Sequence, residues 1–406
     1  MSAPKLRFKE FDGDWTTSPL KALCKINQGL QIAIEDRFLE DGNNRYFYIT
    51  NEFLKEGSKK AYFIENPPKA VICDESDILM TRTGNTGQVV TDVKGAFHNN
   101  FFKIDFDRSI INKNFFIEFL KKDTTQHLIL KYAGASTIPD LNHSDFYRIV
   151  MPITTIEEQT KIASFLSAVD EKISQLTQKH ELLSQYKQGM MQKLFSQQIR
   201  FKADDGSEFG EWENLKIFDL AIDKTLNNGV FNDQNKVGKG YKLINVLDMY
   251  INRDIDESRL KLLDLSTKDF EKNKVYYGDI FFTRSSLVKE GIAFSNVYLG
   301  NSNDVTYDGH LIKLSPNLNR VNPIFLNYIL KTHVVRKQLI KGGKTATMTT
   351  IGQQEVGNTI VSLPCLEEQT KIANFLSSID QKIEVVAQQI EQAKQWKKGL
   401  LQQMFV

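Results

Sequence analysis

The sequence predicts an α+β protein: two β-rich domains separated by two long helices that pair as an antiparallel coiled coil, in a pseudo-two-fold internal duplication. Three observations predict it. Seventeen residues beginning at Glu157, EEQTKIASFLSAVDEKI, return at Glu367 as EEQTKIANFLSSIDQKI, thirteen of them identical and 210 positions apart. Both copies continue with an apolar seam of helical period. The regions before the copies carry short β-type runs and differ from each other, although they open alike, with LRFKEFDGDW ending at Trp15 and IRFKADDGSEFGEW ending at Trp212. A solenoid repeats every ~20–50 residues, so this longer period marks two copies of one large unit. The expected segments are a first domain over 1–151, a helix over 152–198, a second domain over 199–363 and a second helix over 364–406.

The first helix places Ile162, Leu166, Val169, Ile173, Leu176, His180, Leu183, Lys187, Met190 and Leu194 at alternating steps of four and three. The second places Ile372, Leu376, Ile379, Ile383, Val386, Ile390, Ala393, Lys397, Leu400 and Met404 likewise. That pattern is a coiled-coil seam, and at ~1.5 Å per residue it builds a rod of ~55 Å. Pro152 with Thr154 and Thr155 before Glu157 and Glu158, and Pro364 before Glu367 and Glu368, are start signals, the first offering a capping box. A parallel pair in register would set Lys187 against Lys397. An antiparallel pair lays each lysine on an apolar layer of the other helix, where its stem packs and its ammonium reaches water. Gly189 and Gly399 recur at one place in both helices; glycine costs a helix ~1 kcal/mol, so a bend or a close contact is expected there.

Inside the domains the β signals are Tyr46–Thr50, Val89–Val93, Phe101–Phe106, Lys242–Val246, Tyr276–Thr283 and His310–Leu314, and the clearest helical patches are Asn114–Leu120 and Pro323–Leu330. They do not alternate regularly, which favours α+β over a doubly wound sheet. Two landmarks recur. SDILMTRTGNTG from Ser76 matches GDIFFTRSSLVKEG from Gly278, each an apolar strand ending in Thr-Arg. YAGASTIPDLN from Tyr132 parallels GGKTATMTTIG from Gly342. Glycine lets a backbone approach phosphate, hydroxyls donate to it, and arginine binds phosphate or takes a guanine edge with two bonds. Ordinary turns use the same residue types, but the recurrence in both copies favours nucleic-acid contact.

Enzymatic motifs fail. NPPK at Asn66–Lys69 lacks the aromatic that would stack on a flipped base, GGKT at Gly342–Thr345 lacks the first glycine of a phosphate loop, and Pro139–Asp140 with Asp170–Glu171–Lys172 is a nuclease motif only if a helical charged face is read as catalytic. Six scattered histidines show no ligand spacing. A net charge of +2 neither requires nor excludes nucleic acid, and 41% hydrophobic residues suffice for two cores. Only three cysteines, Cys24, Cys73 and Cys365, are present, scattered and without a C-x-x-C pair, which argues against a disulfide framework or Cys-type zinc site and suits a reducing compartment. With no apolar core in MSAPKLRFKEF and no apolar run near the ~20 residues of a membrane span, a soluble, cytoplasmic protein that is not itself an enzyme is expected.

Two variable domains, each followed by a helix carrying EEQxKIAxFLSxxDxKI, resemble the DNA-specificity subunit of Type I restriction–modification systems. Pro152 with Glu157–Phe195, Pro364 with Glu367–Phe405, the Arg-Phe…Trp openings, and the strands at Asp77 and Asp279 carry the resemblance. It implies two target-recognition domains, each reading half of a split, asymmetric double-stranded DNA target, with the helices as a ruler and a dock for two modification (methyltransferase) subunits. Those partners would bind S-adenosylmethionine and methylate adenine. Two restriction (endonuclease) subunits, where present, would use ATP and Mg, and this chain would hold no cofactor. DNA contact is expected from Arg82, Thr83, Asn85, Thr86, Ser136 and Thr137, and from Arg284, Ser285, Ser286, Lys341, Lys344, Thr345 and Thr347. Partner docking is expected from outward helix faces with Glu158, Gln159, Lys161, Glu368, Gln369 and Lys371. The rivals are a non-DNA scaffold with two ligand-binding domains on a coiled-coil spacer, and a self-contained methyltransferase–nuclease. A steep salt dependence of DNA affinity argues against the first, and S-adenosylmethionine binding by the isolated chain would support the second.

Overall fold

The computed structural model describes residues 3–55, 57–58, 60–134, 137–231, 234–251, 253–345 and 347–405. The chain forms two compact units: Met1–Thr177 with Gln388–Val406, and Gln178–Ala387. Two long helices, Ile156–Phe195 and Leu366–Met404, each contribute one end to each unit. At the start of the first, the Glu158 amide donates to Thr155 Oγ1 at 3.3 Å, which satisfies one of the orphan donors of the first turn.

Within unit 1 the helix ends run antiparallel. Ile162, Leu166 and Val169 share a core with Leu400, Met404 and Phe405, and the Trp396 ring meets Phe165 edge-on at 6.0 Å. In unit 2, Leu194 packs in one core with Ile372, Leu376 and Ile379. The seam lysines are placed by charge rather than by escape to water. Lys397 Nζ bonds Asp170 Oδ2 at 2.6 Å and lies 2.9 Å from Glu118 Oε2. Lys187 Nζ bonds Asp380 Oδ1 at 2.6 Å, and Tyr328 Oη donates to the other oxygen of that carboxylate at 2.5 Å. Asp170 and Asp380 occupy the same place in the repeated segment, so each copy supplies the counter-ion for the other copy's lysine. Asp170 is thus an ion-pair partner, which is more than the solvated helix charge expected of it. Both helices continue through Gly189 and Gly399, and a Cβ added at either would meet nothing within 4 Å, so the expected close contact is absent there.

The repeated Glu-Gln pair serves a different end from the one expected. Glu158 is 1% exposed and accepts from Arg7 Nε and Nη2, both at 2.8 Å, and from Trp15 Nε1 at 3.3 Å. Gln159, fully buried, accepts from the Asn112 amide at 3.0 Å and donates to the carbonyls of Ile110 and Thr154. Unit 2 repeats this bond for bond. Glu368 accepts from Arg200 Nε at 3.0 Å, Arg200 Nη2 at 2.7 Å and Trp212 Nε1 at 3.2 Å. Gln369 accepts from the Asn322 amide and donates to Arg320 and Pro364. The placement of Glu158, Gln159, Glu368 and Gln369 on outward faces is therefore corrected: they face inward and lock each domain onto its helix. This also explains the shared Arg-Phe…Trp openings. Lys161 is exposed beside Glu10 at 3.3 Å, while Lys371 is half-buried and bonded to Asp204 and the Lys202 carbonyl.

Unit 1 contains β1 (Thr16–Pro19), β2 (Cys24–Gln28), β3 (Ile78–Thr81), β4 (Val89–Thr91), β5 (Phe101–Phe106) and β6 (Val150–Ile153). An antiparallel sheet runs in the order β2-β5-β3-β4, and β1 pairs β6 beside the helix start. All four residues of β3 are buried, as expected of a strand covered on both faces. A second four-stranded sheet is built from Phe63–Glu65, Arg45–Ile49, Gly95–Phe97 and Ile72–Cys73. The helices α1 (Lys113–Lys121), α2 (Asp123–Ala133) and α3 (His143–Tyr147) cover the first sheet; Asn112 caps α1 by accepting from the amides of Asn114 and Phe115.

Unit 2 contains β7 (Glu213–Lys216), β8 (Asn227–Asn228), β9 (Ile280–Thr283), β10 (Ser285–Ser286), β11 (Ser295–Val297), β12 (Leu311–Leu314), β13 (Lys344–Thr345), β14 (Thr349–Thr350) and β15 (Ile360–Leu363). The main sheet runs β8-β12-β9-β11, β7 pairs β15, and β10-β14-β13 make a small separate ladder. Its helices include α4 (Pro323–Leu330), α5 (His333–Gly342) and α6 (Gln353–Gly357). The strand signal at Tyr276–Thr283 shortens to β9, because Gly278 takes φ +90° and Tyr276 and Tyr277 are exposed. No described helix is long and apolar enough to cross a membrane.

A further sheet of unit 2 pairs Val237–Ile244 with Lys261–Leu263 and Val305–Tyr307. Beside it, Glu257 accepts from Lys242 Nζ at 2.8 Å and Tyr298 Oη at 2.7 Å. The Lys242 bond, against the opposing effect of burial, pulls the Glu257 carboxyl from 4.5 down to about 2. A folded value below the unfolded one means stability that is present above pH 4.5 and lost as pH falls towards 2. Glu257→Gln should therefore destabilise unit 2 by about 1–3 kcal/mol at neutral pH. In urea titrations the gap to wild type should close across that acidic window; a gap independent of pH would rule the assignment out.

Candidate nucleic-acid interface

In unit 1, β3 ends at Thr81, whose hydroxyl donates to the Asn85 carbonyl and accepts from the Gln88 amide at 2.8 Å, pinching residues 82–87 into a loop. Gly87, at φ +86°, could not carry a side chain, because its Cβ would fall 2.8 Å from Ile129. A second loop lies against the first. Thr83 bridges Asp140, the Arg82 carbonyl accepts from the Leu141 amide at 3.0 Å, and the Arg82 amide donates to Asn100 at 2.7 Å.

Side chains then join four segments of the chain. Arg82 grips Asp140 with two bonds, Nε to Oδ1 and Nη2 to Oδ2, both 2.7 Å, and the hydrogen bond from Arg82 holds the Asp140 carboxyl below its usual range. Arg82 Nη1 lies 3.5 Å from Gln28 Oε1, which also meets His143 Nε2 at 2.7 Å. Burial, and then the charge of Arg82, lower the His143 pKa, which favours the neutral imidazole at this contact. Asn99 Nδ2 donates to Gln31 Oε1 at 2.9 Å, extending the patch with amides, the groups that can bond an adenine edge twice. Of the residues expected here, Thr83 is half-buried and Asn85 and Thr137 are exposed. Thr86 is corrected: it is buried and its hydroxyl donates to the Pro139 carbonyl at 2.7 Å, so it holds the two loops together rather than meeting a ligand. Ser136 lies outside the described residues.

Unit 2 builds the corresponding pair of loops on β9. The Arg284 amide donates to His310 at 2.9 Å and its carbonyl accepts from Ile351 at 3.0 Å, while Ser285 pairs Thr350 and Ser286 pairs Thr349 across β10 and β14. Arg284, Ser285, His310, Lys344 and Thr350 line an open depression of about 470 Å³. Lys344 is 3.4 Å from Glu355, Thr345 and Thr349 share a hydroxyl bond at 3.0 Å, and Lys341 and Thr347 are exposed. His310 Nδ1 meets Asp308 at 2.8 Å, and Gln353 Nε2 donates to Asn228 Oδ1 at 2.6 Å, in the place of the His143–Gln28 contact.

Gln28, Asn99, Asp140 and His143 in unit 1, with Asn228, His310 and Gln353 in unit 2, were not among the expected site residues. Single amides and histidines carry no signal of their own. The signal that could have found them was the pairing of the two recurrent loops, since whatever flanks one must face the other. Among the described residues no group of three or more His, Cys, Asp or Glu side chains could hold a metal ion.

Comparison with known proteins gives this arrangement its relatives. The family described as Type I restriction modification DNA specificity domain matches residues 12–185 and 210–395. The Type I restriction enzyme MjaVIII specificity subunit of Methanocaldococcus jannaschii is 25% identical, over 97% of this chain and 94% of its own length. The EcoBI specificity subunit of Escherichia coli is 21% identical, over 82% of this chain and 72% of its own length. The fold is that of the crystallised S subunit of a Type I restriction-modification system from M. genitalium, with a TM-score of 0.60 at 16% identity, covering 100% of this chain and 99% of that one. A chain from a structural study of complex assembly and conformational transition of the type I R-M system gives a TM-score of 0.56 at 15% identity, covering 95% of this chain and 96% of that one. Two matches to one domain family, placed on two units that each build the same Thr-Arg loop, make the chain a member of the Type I restriction–modification specificity subunits, proteins of DNA sequence recognition.

Proposed function

We propose that the chain reads a bipartite, asymmetric DNA target and directs adenine methylation or restriction by partner subunits, without catalytic chemistry of its own. The observation that carries this reading is the paired-loop site built at the end of a buried strand in both units, on matching backbone bonds but with different side chains. The same frame with different contents is what two readers of different half-sites require. The domains over 1–151 and 199–363 are the reading heads, and the paired helices over 152–198 and 364–406 set the interval between the two words read. Binding both half-sites at once raises affinity through effective concentration only when the spacing fits. Reading falls to the loop residues that keep at least part of their surface exposed: Thr83, Asn85 and Thr137 in unit 1, and Arg284, Ser285, Ser286, Lys341, Lys344, Thr345 and Thr347 in unit 2.

Partners of this kind are two modification subunits that carry S-adenosylmethionine, joined where a restriction enzyme forms by two subunits that use ATP and Mg, all acting on cytoplasmic DNA. The repeated helices give two near-identical surfaces for two identical partners, with exposed Lys161 on one of them. Methylome sequencing of a host expressing the chain with its modification subunit should show one adenine-methylated motif split by a constant gap, absent when either gene is missing. A continuous motif, a variable gap, or methylation by the chain alone would overturn the proposal.

A further inference from the structure

We propose that the residue facing each arginine loop decides whether its arginine reads DNA: Thr350 leaves Arg284 free to take a pair of acceptors on DNA, whereas Asp140 turns Arg82 into a strut of its own loop. This rests on the DNA-recognition reading and names the residues that carry it out. The two positions are equivalent by backbone bonding. Asp140 bridges Thr83 and Thr350 pairs Ser285, in each case the residue after the arginine. The next residue, Leu141 or Ile351, donates its amide to the arginine's carbonyl, at 3.0 Å in both units.

The same frame holds opposite chemistry. Asp140 occupies Nε and Nη2 of Arg82 at 2.7 Å each, one of the two side-by-side donor pairs of the guanidinium, and Nη1 of the other pair lies 3.5 Å from Gln28 Oε1. Arg82 is thereby a positioning residue that ties residues 82–87 to the second loop. Thr350 offers no carboxylate. Arg284 is exposed, and among the described residues its guanidinium has no ion-pair or hydrogen-bond partner. Nearby acids are engaged elsewhere, Glu355 with Lys344 and Asp308 with His310. A guanidinium with its donors unspent matches two kinds of paired acceptor on DNA: O6 and N7 of guanine, or two oxygens of one phosphate.

The test uses the full chain, a mixed-sequence duplex at several salt concentrations, and selection from a pool of random duplexes. Arg284→Gln, a change at an exposed side chain, should weaken binding about tenfold. Thr350→Asp should do the same by recreating the grip that Asp140 has on Arg82, while Thr350→Asn should stay near wild type. Lys344 stands across from Thr350 and would compete for the new carboxylate, so Thr350→Asp is repeated in the Arg284→Gln background, where it should add little. Asp140→Thr should free Arg82 and steepen the dependence of log affinity on log salt by about one. If Arg284→Gln flattens that slope by about one, the acceptors are phosphate oxygens; if the slope holds and a guanine preference disappears from one half-site, they belong to a base. Wild-type affinity in Arg284→Gln, or additive losses in the double variant, would overturn this proposal while leaving DNA recognition intact. A wild-type chain with no salt-dependent affinity would overturn both.

Discussion

Glu368→Ala is expected to lower the unfolding free energy of unit 2 by about 3 kcal/mol. The carboxylate is fully buried and collects three donors, two from the Arg200 guanidinium and one from the Trp212 indole. Its loss leaves a cation and an indole N–H facing a hole at the junction of domain and helix. Arg200 keeps 20% side-chain exposure and can turn to water, which holds the effect at the lower end for breaking a buried pair. Urea unfolding followed by tryptophan fluorescence measures it directly, since Trp212 is one of the three donor contacts and should lose its environment early. Glu368→Gln, which keeps an acceptor, should cost less. A midpoint unmoved in both variants would mean that the junction is held by apolar packing alone.

Phe405→Ala should cost unit 1 about 3–5 kcal/mol. Phe405 is 3% exposed and stacks on Phe115 with ring centroids 4.7 Å apart. Phe119 and the Lys122 ammonium complete its surroundings, at 6.4 Å and 5.7 Å from the ring. The Leu6 amide donates to the Gln403 carbonyl at 2.9 Å, which ties this end of the second helix to the opening segment of the same unit. Gln402→Ala, at an exposed neighbour, is the control and should be neutral. Thermal unfolding in which Phe405→Ala behaves like Gln402→Ala would show that the last turn contributes nothing to the core.

The long helices were legible because their evidence is local and repeated. Steps of four and three recur along both, and the position of one lysine in each seam distinguished antiparallel from parallel pairing. The reason given for the lysines was only half of the matter: the stems do lie in the seam, but the ammonium groups meet Asp380 and Asp170. The strands beside the candidate site were legible from their apolar runs and the loops from their recurrence. Thr86 was misassigned because a threonine in a glycine-rich loop looks the same in sequence whether its hydroxyl faces solvent or, as here, the Pro139 carbonyl.

From sequence alone follow the duplication, the class of fold, the two antiparallel seams and the family, because each is written in spacing or identity that neighbouring residues display. Tertiary structure decided what the identical residues are for. Glu158 and Glu368 look like exposed helix charges until Arg7, 151 positions away, and Arg200, 168 positions away, arrive to bury them. Arg82 and Arg284 look like equals until Asp140 closes on one and Thr350 leaves the other open. A buried or spent hydrogen-bonding group is defined by its partner, and which distant segment supplies that partner is settled only when the chain has folded.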